Sequence, residues 1–286
     1  MAEYYINADT GDNSTGDGSS GSPWLTLAHA YDNSTTDDTI TCQDSTATYS
    51  WVSDIVSDRT IQGESADASG AIFDAGNILC EWRVYGTSNI KNITFQNENH
   101  GGSRYGNFRV GNTPTFENCK FHNINGMNSE GNYCGLIWAS NVAAVTMTNC
   151  QMWDLDFEAG GICVFSTFDS GTGSSFVLNN CTIYIGTGES NHIDKFIESR
   201  YLSTMAVTFN NCIIENASGD TVTLYNALAA TFDYYIYNSC YHNITLGETP
   251  DTNTGSITSD PLLVDGDNGL MGLRPTSPCI DTGTLQ

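Results

Sequence analysis

Three acidic residues in the segment DLDFE are the first candidates for chemistry, because Asp154, Asp156 and Glu158 directly follow the aromatic Trp153. Two carboxyl groups that flank a glycosidic bond can cleave it by acid and base catalysis. Trp153 and Tyr184 occupy equivalent places in successive sequence repeats, so their rings are candidates for a glycan-binding ladder. Two plainer interpretations stay open: the acids of an alternating strand face water, and the two rings pack at a surface.

Metal ligands are harder to assemble from this sequence. The loops DTGDNSTGDG and DGDNG resemble calcium loops in composition, but neither completes a ligand set, and flexible turns are the favoured interpretation. The ten cysteines include no Cys-x-x-Cys pair, and the five histidines do not stand at zinc-site spacing from them. The sequence therefore predicts no cofactor and no metal, with Ca²⁺ as the alternative.

The charge of the chain excludes several classes of partner. Among 286 residues, 33 are acidic and 9 are basic, which gives a formal net charge of -24 at pH 7. Binding to nucleic acid requires clustered Lys and Arg, so nucleic acid is not an expected partner. An anionic membrane surface is disfavoured for the same reason, and no apolar run approaches the roughly 20 residues of a membrane-spanning helix. The opening MAEYYINADTGD lacks the pattern of a secretory signal, so we expect an intracellular site of assembly.

A repeat with a period near 30 residues organises the middle of the chain. The strings FENCKF, MTNCQM, LNNCTI, FNNCII and YNSCYH align on five cysteines, with spacings of 31, 31, 31 and 28 residues. Upstream, Ile93 and Ile61 are predicted to fill the same slot without a thiol. The five cysteines of the repeat are Cys119, Cys150, Cys181, Cys212 and Cys240.

Each repeat predicts strands that turn a corner at asparagine. Apolar residues alternate as in a strand, but Phe209 and Cys212 are three residues apart, so one residue between them must leave the extended conformation. Asn tolerates a left-handed backbone better than other non-glycine residues. The predicted corner residues are Asn118, Asn149, Asn180 and Asn211, and their amides should stack into a ladder, while the cysteines point inward as free, small apolar residues.

Stacked units of this kind predict an all-β, single-stranded right-handed parallel β-helix. The opening YYINADTGDNSTGDGSSGSPWLTLAHAYD, with DDTITCQDSTATYSWV and RTIQGES, resembles the entry segment of the pectate-lyase-like right-handed β-helix superfamily. The ending SDPLLVDGDNGLMGLRPTSPCIDTG is similar to the closing segment of many of its members. We expect one continuous domain, with an extended entry and capping segment over 1–38, coils over 39–246 and a closing segment over 247–286.

The resemblance specifies fold more than activity, because this fold carries lyases, hydrolases, phage tailspikes and capsid decorations. Lyases of the superfamily need a cation and a basic residue, yet only Lys91, Lys120, Lys195 and six arginines are present, and no calcium-binding aspartate array can be matched. Hydrolases of the superfamily use clustered aspartates and a Gly-His-Gly loop, which NHGGS at His100 does not reproduce.

A second line of strands is apolar on consecutive positions. It comprises GLIWAS, GICVFS, KFIES and VTLYNALAA, which contain Trp138, Phe165 and Tyr225. A strand that is apolar on both faces is usually buried on both faces. We therefore predict that these three residues lie at a subunit interface or beneath a long loop, and we favour a homo-oligomer, a trimer first.

Two functions follow from the resemblance and the missing motifs. The favoured one is a virion structural protein, a capsid decoration or a spike or head fibre, which assembles in the host cytoplasm, docks on a capsid protein and contacts host glycans. The alternative is a secreted polysaccharide lyase or glycoside hydrolase. The sequence leans away from an enzyme, because no catalytic motif of the superfamily transfers residue by residue.

Overall fold

A computed structural model describes residues 1–51, 54–55, 58–76, 82–99, 108–125, 135–140, 143–156, 163–167, 173–186, 195–199, 205–227, 232–247 and 249–280. The chain winds as a right-handed parallel β-helix, which confirms the predicted all-β fold. Three parallel sheets form its walls, and each coil contributes one strand to each wall. As in other repeat folds, each coil makes its contacts mainly with the coils on either side of it.

The first sheet has ten strands in the described part of the chain, all paired in parallel: Glu3–Ile6, Thr39–Cys42, Thr60–Gly63, Asn89–Lys91, Thr115–Glu117, Ala144–Thr148, Ser174–Asn179, Met205–Asn210, Phe232–Tyr237 and Thr252–Thr254. The second sheet follows it around each coil and contains the strands Ile72–Asp74, Thr94–Asn99, Lys120–Asn125, Gln151–Asp156, Thr182–Ile185, Ile213–Asn216 and Cys240–His242. The third sheet contains Asp54–Ile55, Trp82–Val84, Phe108–Gly111, Gly135–Ser140, Cys163–Thr167, Lys195–Ser199, Val222–Ala227 and Ile244–Thr245.

Asparagine makes the corner between the first and second sheets, as predicted. The φ angles of Asn118, Asn149, Asn180 and Asn211 are 52°, 55°, 54° and 51°, all in the left-handed region. The amide of Asn118 donates to Asn92 Oδ1 at 3.1 Å, and the amide of Asn149 donates to Asn118 Oδ1 at 3.2 Å. The amide of Asn211 likewise donates to Asn180 Oδ1 at 3.3 Å, so these side-chain bonds between coils help to hold the register of the stack.

The thiols beside these corners face the interior. Cys119, Cys150, Cys181 and Cys212 are each at most 1% exposed, and they are free. Their sulfur atoms lie 3.4–3.6 Å from carbonyl oxygens of the preceding coil, as Cys212 Sγ does from Leu178 O at 3.4 Å. The predicted role of the thiol as a small core residue is confirmed for the described coils.

Two residues that the sequence placed in the thiol slot, Ile61 and Cys240, do not align with the other thiols in the strand register. Ile61 pairs with Ile90, which pairs with Phe116, so Ile61 lies three residues before the thiol slot. At the other end of the stack Ile213 pairs with Cys240, and this places Ser239 opposite Cys212. The Ser239 hydroxyl accepts from the Cys212 backbone N–H at 3.0 Å. The last spacing is therefore 27 residues, one fewer than the 28 predicted from Cys240, because Asn238, with φ of 47°, is the true corner.

Aromatic side chains fill the interior of the first coils. Phe73, Phe95 and Phe121 stack along the second sheet with ring centroids 5.9 and 5.4 Å apart. Phe108 meets Phe95 edge-on from the third sheet at 4.9 Å. Ring contacts at these separations add to the apolar burial that stabilises the coils.

The apolar line of the third sheet is buried within the chain itself. Phe165 is fully buried in the core against Phe176 and Phe196, and Trp138 is 2% exposed with the Arg109 guanidinium 4.6 Å from its ring centre. The core thus accounts for Phe165, and Arg109 covers Trp138 on the outer side. The side chain of Tyr225 lies outside the described residues. A subunit interface on this wall stays a prediction.

The two ends of the β-helix are closed differently. At the start, the strand Glu3–Ile6 joins the first sheet, and the helix Leu27–Asn33, capped by the Thr26 hydroxyl, buries Leu27 and Ala30. No helix in the described part of the chain is long and apolar enough to span a membrane. Near the end, the strands Leu263–Asp265 and Leu270–Leu273 pair antiparallel across the 3₁₀ turn Gly266–Asn268. This closing hairpin, residues 263–273, packs on the outer face of the second sheet.

Candidate functional site

On the outer face of the second sheet, each coil contributes one polar or aromatic side chain, and these side chains are aligned from strand to strand. Phe73, Phe95 and Phe121 point inward, so the residue after each of them points outward. Strand pairing aligns most of this outward row directly, and the pairing of Met152 with Ile183 aligns its middle. The row consists of Asp74, Gln96, His122, Trp153, Tyr184, Glu215 and His242.

Of the three acidic candidates of the sequence, only Asp154 has a described side chain, so a carboxylate pair among them stays a prediction. Asp154 has φ of 51° and continues a second corner ladder, in which Asn97 and Asn123 have φ of 57° and 49°. Asn123 donates to Asn97 Oδ1, and the Asn97 amide donates to Asp74 Oδ2 at 2.7 Å. Asp154 is thus a half-buried corner residue. The side chain of Asp156 and all of Glu158 lie outside the described residues.

The closing hairpin covers both proposed glycan-stacking rings. Tyr184 is 6% exposed, and a Cβ on Gly266 would lie only 2.5 Å from its ring. Trp153 stacks on His122 on one side, with ring centroids 4.6 Å apart, and meets Gly269 on the other, where a Cβ would lie 2.7 Å away. The alternative interpretation therefore holds: the two rings are packing residues, and their faces are not open to a sugar.

The sequence reasoning missed a group that lies just beyond them on the same row. Glu215 and His242 are paired neighbours on the last two strands of the second sheet, and His242 Nδ1 lies 3.7 Å from Glu215 Oε1. Asp260, from the segment leading into the closing hairpin, joins them, so that one ligand atom from each of the three residues lies within 4.8 Å of the others. The signal that could have found Glu215 is its place three residues after Cys212, where the repeat puts outward residues.

Burial makes the Glu215 carboxyl group unusual. Glu215 is only 9% exposed, and its Oε2 atom is buried without a hydrogen-bond partner among the described residues. His242 Nδ1 is likewise buried without a hydrogen-bond partner among the described residues. Burial raises the pKa of Glu215 above the ordinary value, and the negative charge of Asp260 raises it further, while His242 opposes this. Buried polar atoms without a hydrogen-bond partner cost free energy. The pair is therefore a candidate site for a ligand or ion that would supply the missing partners.

Tyr184 and Asp267 form the wall of the site on the hairpin side. The Tyr184 hydroxyl donates to Asp267 Oδ1 at 3.1 Å. Burial raises the pKa of Tyr184, and the hydrogen bond to Asp267 adds to the rise, so the phenol stays protonated and holds the hairpin in place. The guanidinium of Arg274 donates to the carbonyls of Leu263 and Val264 at 3.0 and 3.1 Å, which ties the hairpin's two strands together.

Glu215 and His242, neighbours on the second sheet, each line one of two clefts. The first, of about 460 Å³, lies under the closing hairpin and is lined by Glu215, Asp260 and the hairpin carboxylates. The second, of about 670 Å³, is lined by His242, Tyr241 and the polar residues of segment 216–221. Because strand pairing places Glu215 beside His242, we refer to the two clefts together as the Glu215 groove.

By its fold, this chain is a pectate-lyase-like parallel β-helix. Its groove lies on the outer face of one sheet. Three solved structures share this fold. A rhamnogalacturonan lyase matches with a TM-score of 0.59 and 15% identity, over 85% of this chain and 68% of that one. The pectin methylesterase of Aspergillus niger matches with a TM-score of 0.53 and 16% identity, over 90% and 86% of the two chains.

The third structure is pectate lyase Pel9A, which matches with a TM-score of 0.51 and 14% identity over all of this chain and 92% of its own. No protein-family model matches the sequence, and a comparison with curated proteins finds no match either. Identities this low establish the fold alone. None of the three names is that of a virion protein, so the comparisons give the expected virion role no support.

Proposed function

We propose that this chain is a polysaccharide-cleaving enzyme that binds its substrate along the Glu215 groove. The observation that carries the proposal is the position of Glu215, which has a buried carboxyl oxygen without a partner among the described residues, lines one cleft and is the strand neighbour of His242 in the other. Active sites join concave surface to a few convergent polar groups, and this groove has both. The similarity in fold to a rhamnogalacturonan lyase, a pectin methylesterase and a pectate lyase supports polysaccharide as the general class of substrate.

The lining of the groove fits sugars better than apolar ligands. In the cleft of about 670 Å³, amide, hydroxyl and phenol groups of Asn216, Thr221, Tyr241, Asn243 and Thr258 line the surface. Sugar hydroxyls pair with such donors and acceptors, while an aromatic ring such as Tyr241 supplies a face for a pyranose. Sequence patterns did not single these residues out, because they lie on strands and loops that only the folded chain brings to one cleft.

Charge in the groove favours a neutral polysaccharide. The carboxylates of Glu215, Asp260, Asp265 and Asp267 line the cleft under the hairpin, and Arg274 is the basic residue that faces them there. A polyanion would be repelled by this set in the absence of a cation. Hydrolysis by a buried carboxyl group and an exposed carboxylate, Glu215 and Asp260, is then the reaction that the groups present can carry out.

A panel of neutral and acidic polysaccharides tests the proposal. We expect new reducing ends from at least one neutral member with the unaltered chain, and a loss of at least about 100-fold in rate for Glu215→Gln. Asp154→Asn is the matched control, since Asn suits the corner that Asp154 occupies and lies outside the groove. Unsaturated uronate products in place of reducing ends would assign the chain to the lyases. Equal turnover by Glu215→Gln would overturn the site.

A further inference from the structure

We propose that Glu215, His242 and Asp260 form a binding site for one divalent transition-metal ion, of which Zn²⁺ is the natural probe. This inference concerns the same groove as the proposed function, but it does not depend on any catalytic activity. Three ligand atoms, one from each residue, lie within 4.8 Å of one another. They come from two neighbouring strands and from the segment that leads into the closing hairpin, so an ion would join the coil to the chain's closing segment.

The present contacts leave the ligand atoms available. Glu215 Oε2 and His242 Nδ1 are buried, and neither has a hydrogen-bond partner among the described residues. The Nδ1 to Oε1 distance of 3.7 Å is too long for a hydrogen bond between them. Asp260 Oδ1 accepts one hydrogen bond, from the Leu262 backbone N–H at 2.7 Å, and the second carboxylate oxygen takes no part in that bond.

The distances suit a shared ion better than direct pairing. Metal–ligand bonds of about 2.1 Å place neighbouring ligands of one ion roughly 3 to 3.5 Å apart. The 3.7 Å between Glu215 and His242 is already close to that value. Asp260 is exposed, so a small rotation of its side chain can close the remaining gap.

The donor set points to a transition metal over calcium. Ca²⁺ takes six to eight oxygen ligands, whereas one imidazole with two carboxylates suits Zn²⁺ and its neighbours in the first transition row. Three protein ligands would leave at least one coordination position open, and the three ligand residues line the two clefts. An ion would also satisfy both buried atoms that the protein leaves unpaired.

Direct metal binding to the full chain is the test. After treatment with a chelator, the chain is titrated with Zn²⁺ by calorimetry and with Co²⁺ by visible absorption. We expect one ion per chain, in excess Mg²⁺, with the Co²⁺ bands of a nitrogen- and oxygen-ligated site. Glu215→Gln, His242→Ala and Asp260→Asn should each weaken binding by at least about tenfold. Asp265→Asn, in the same cleft but outside the cluster, should bind as the unaltered chain does.

Several outcomes would overturn the metal site. The chain could bind Zn²⁺ and Co²⁺ no more tightly than Mg²⁺, or His242→Ala could bind as well as the unaltered chain. A Co²⁺ spectrum with thiolate charge-transfer bands would place the ion on cysteine. Each variant's thermal unfolding is recorded without metal, so that a misfolded variant is recognised and replaced by the milder His242→Gln. Because the readout is binding, an inactive chain that binds Zn²⁺ refutes the proposed function and supports the metal site.

Discussion

The asparagine ladder allows the strength of the corner to be measured by comparing two substitutions of Asn118. Its φ of 52° is left-handed, its amide donates to Asn92 Oδ1, and its own Oδ1 accepts from Asn149. Asn118→Gly removes both hydrogen bonds but fits the backbone, whereas Asn118→Ala removes the same bonds and strains it. The difference between the two variants therefore isolates the conformational cost.

The magnitudes follow from these contacts. A net hydrogen bond contributes about 0.5 to 1.5 kcal/mol, and this ladder is partly exposed, so we take about 0.5 kcal/mol for each of the two bonds. Glycine also adds chain entropy to the unfolded state, roughly 0.5 to 1 kcal/mol. Asn118→Gly should then cost about 1.5 to 2 kcal/mol. A non-glycine residue in the left-handed region costs about 1 to 2 kcal/mol, so Asn118→Ala should cost about 2 to 3 kcal/mol.

Equilibrium unfolding in urea, followed by circular dichroism and tryptophan fluorescence, measures both variants. For a chain of this length, 1 kcal/mol corresponds to about 2 to 4 °C in melting temperature, which a thermal scan can check. We expect Asn118→Ala to be the less stable of the two. If Asn118→Ala were as stable as Asn118→Gly, or more so, the left-handed corner would not be what selects asparagine at this position.

Three further predictions concern the hairpin, a buried histidine and the thiols. Gly266→Ala should cost about 1 to 3 kcal/mol in unfolding free energy, because its Cβ would meet the Tyr184 ring at 2.5 Å. The control Gly272→Ala should cost much less, because the nearest contact of its Cβ is at 3.8 Å. Equal costs for the two variants would contradict the packing of the hairpin on Tyr184. Burial lowers the pKa of His122, opposed by Asp74 and aided by Lys120, so protonation of this side chain costs stability as the pH falls below about 6.5. The unfolding free energy of the unaltered chain should therefore fall relative to that of His122→Phe below that pH, and a difference independent of pH would refute this. Among the seven described thiols only Cys279 is more than 2% exposed, so Cys279→Ser should remove their fast reaction with a thiol reagent; rapid reaction of the four ladder thiols would contradict their burial.

The fold was predictable because its determinants are local and repeated. The three-residue gap between Phe209 and Cys212 required a corner, and only one residue type in that gap tolerates the left-handed backbone at every coil. Register at the ends was less predictable. Ile61 and Cys240 were placed by residue type. The last coil spans 27 residues, one fewer than the 28 predicted from Cys240, and Ser239 fills the slot by a hydrogen bond that composition does not reveal.

The site was not predictable, because it is formed by parts of the chain that no short motif joins. Glu215 and His242 are 27 residues apart and meet through strand pairing, and Asp260 arrives from the closing segment. Acidity beside an aromatic residue pointed instead to Asp154 and Trp153. The corner at Asp154 and the hairpin over Trp153 are both tertiary features, and they give these residues structural roles.

The central claim is that the Glu215 groove is where this chain acts on a polysaccharide. The most direct measurement is the rate at which the purified chain releases reducing ends or unsaturated products from a polysaccharide panel, compared with Glu215→Gln and Asp154→Asn. The groove predicts turnover by the unaltered chain and by Asp154→Asn, with a loss of at least about 100-fold in Glu215→Gln. Turnover that survives in Glu215→Gln and is lost in Asp154→Asn would contradict it.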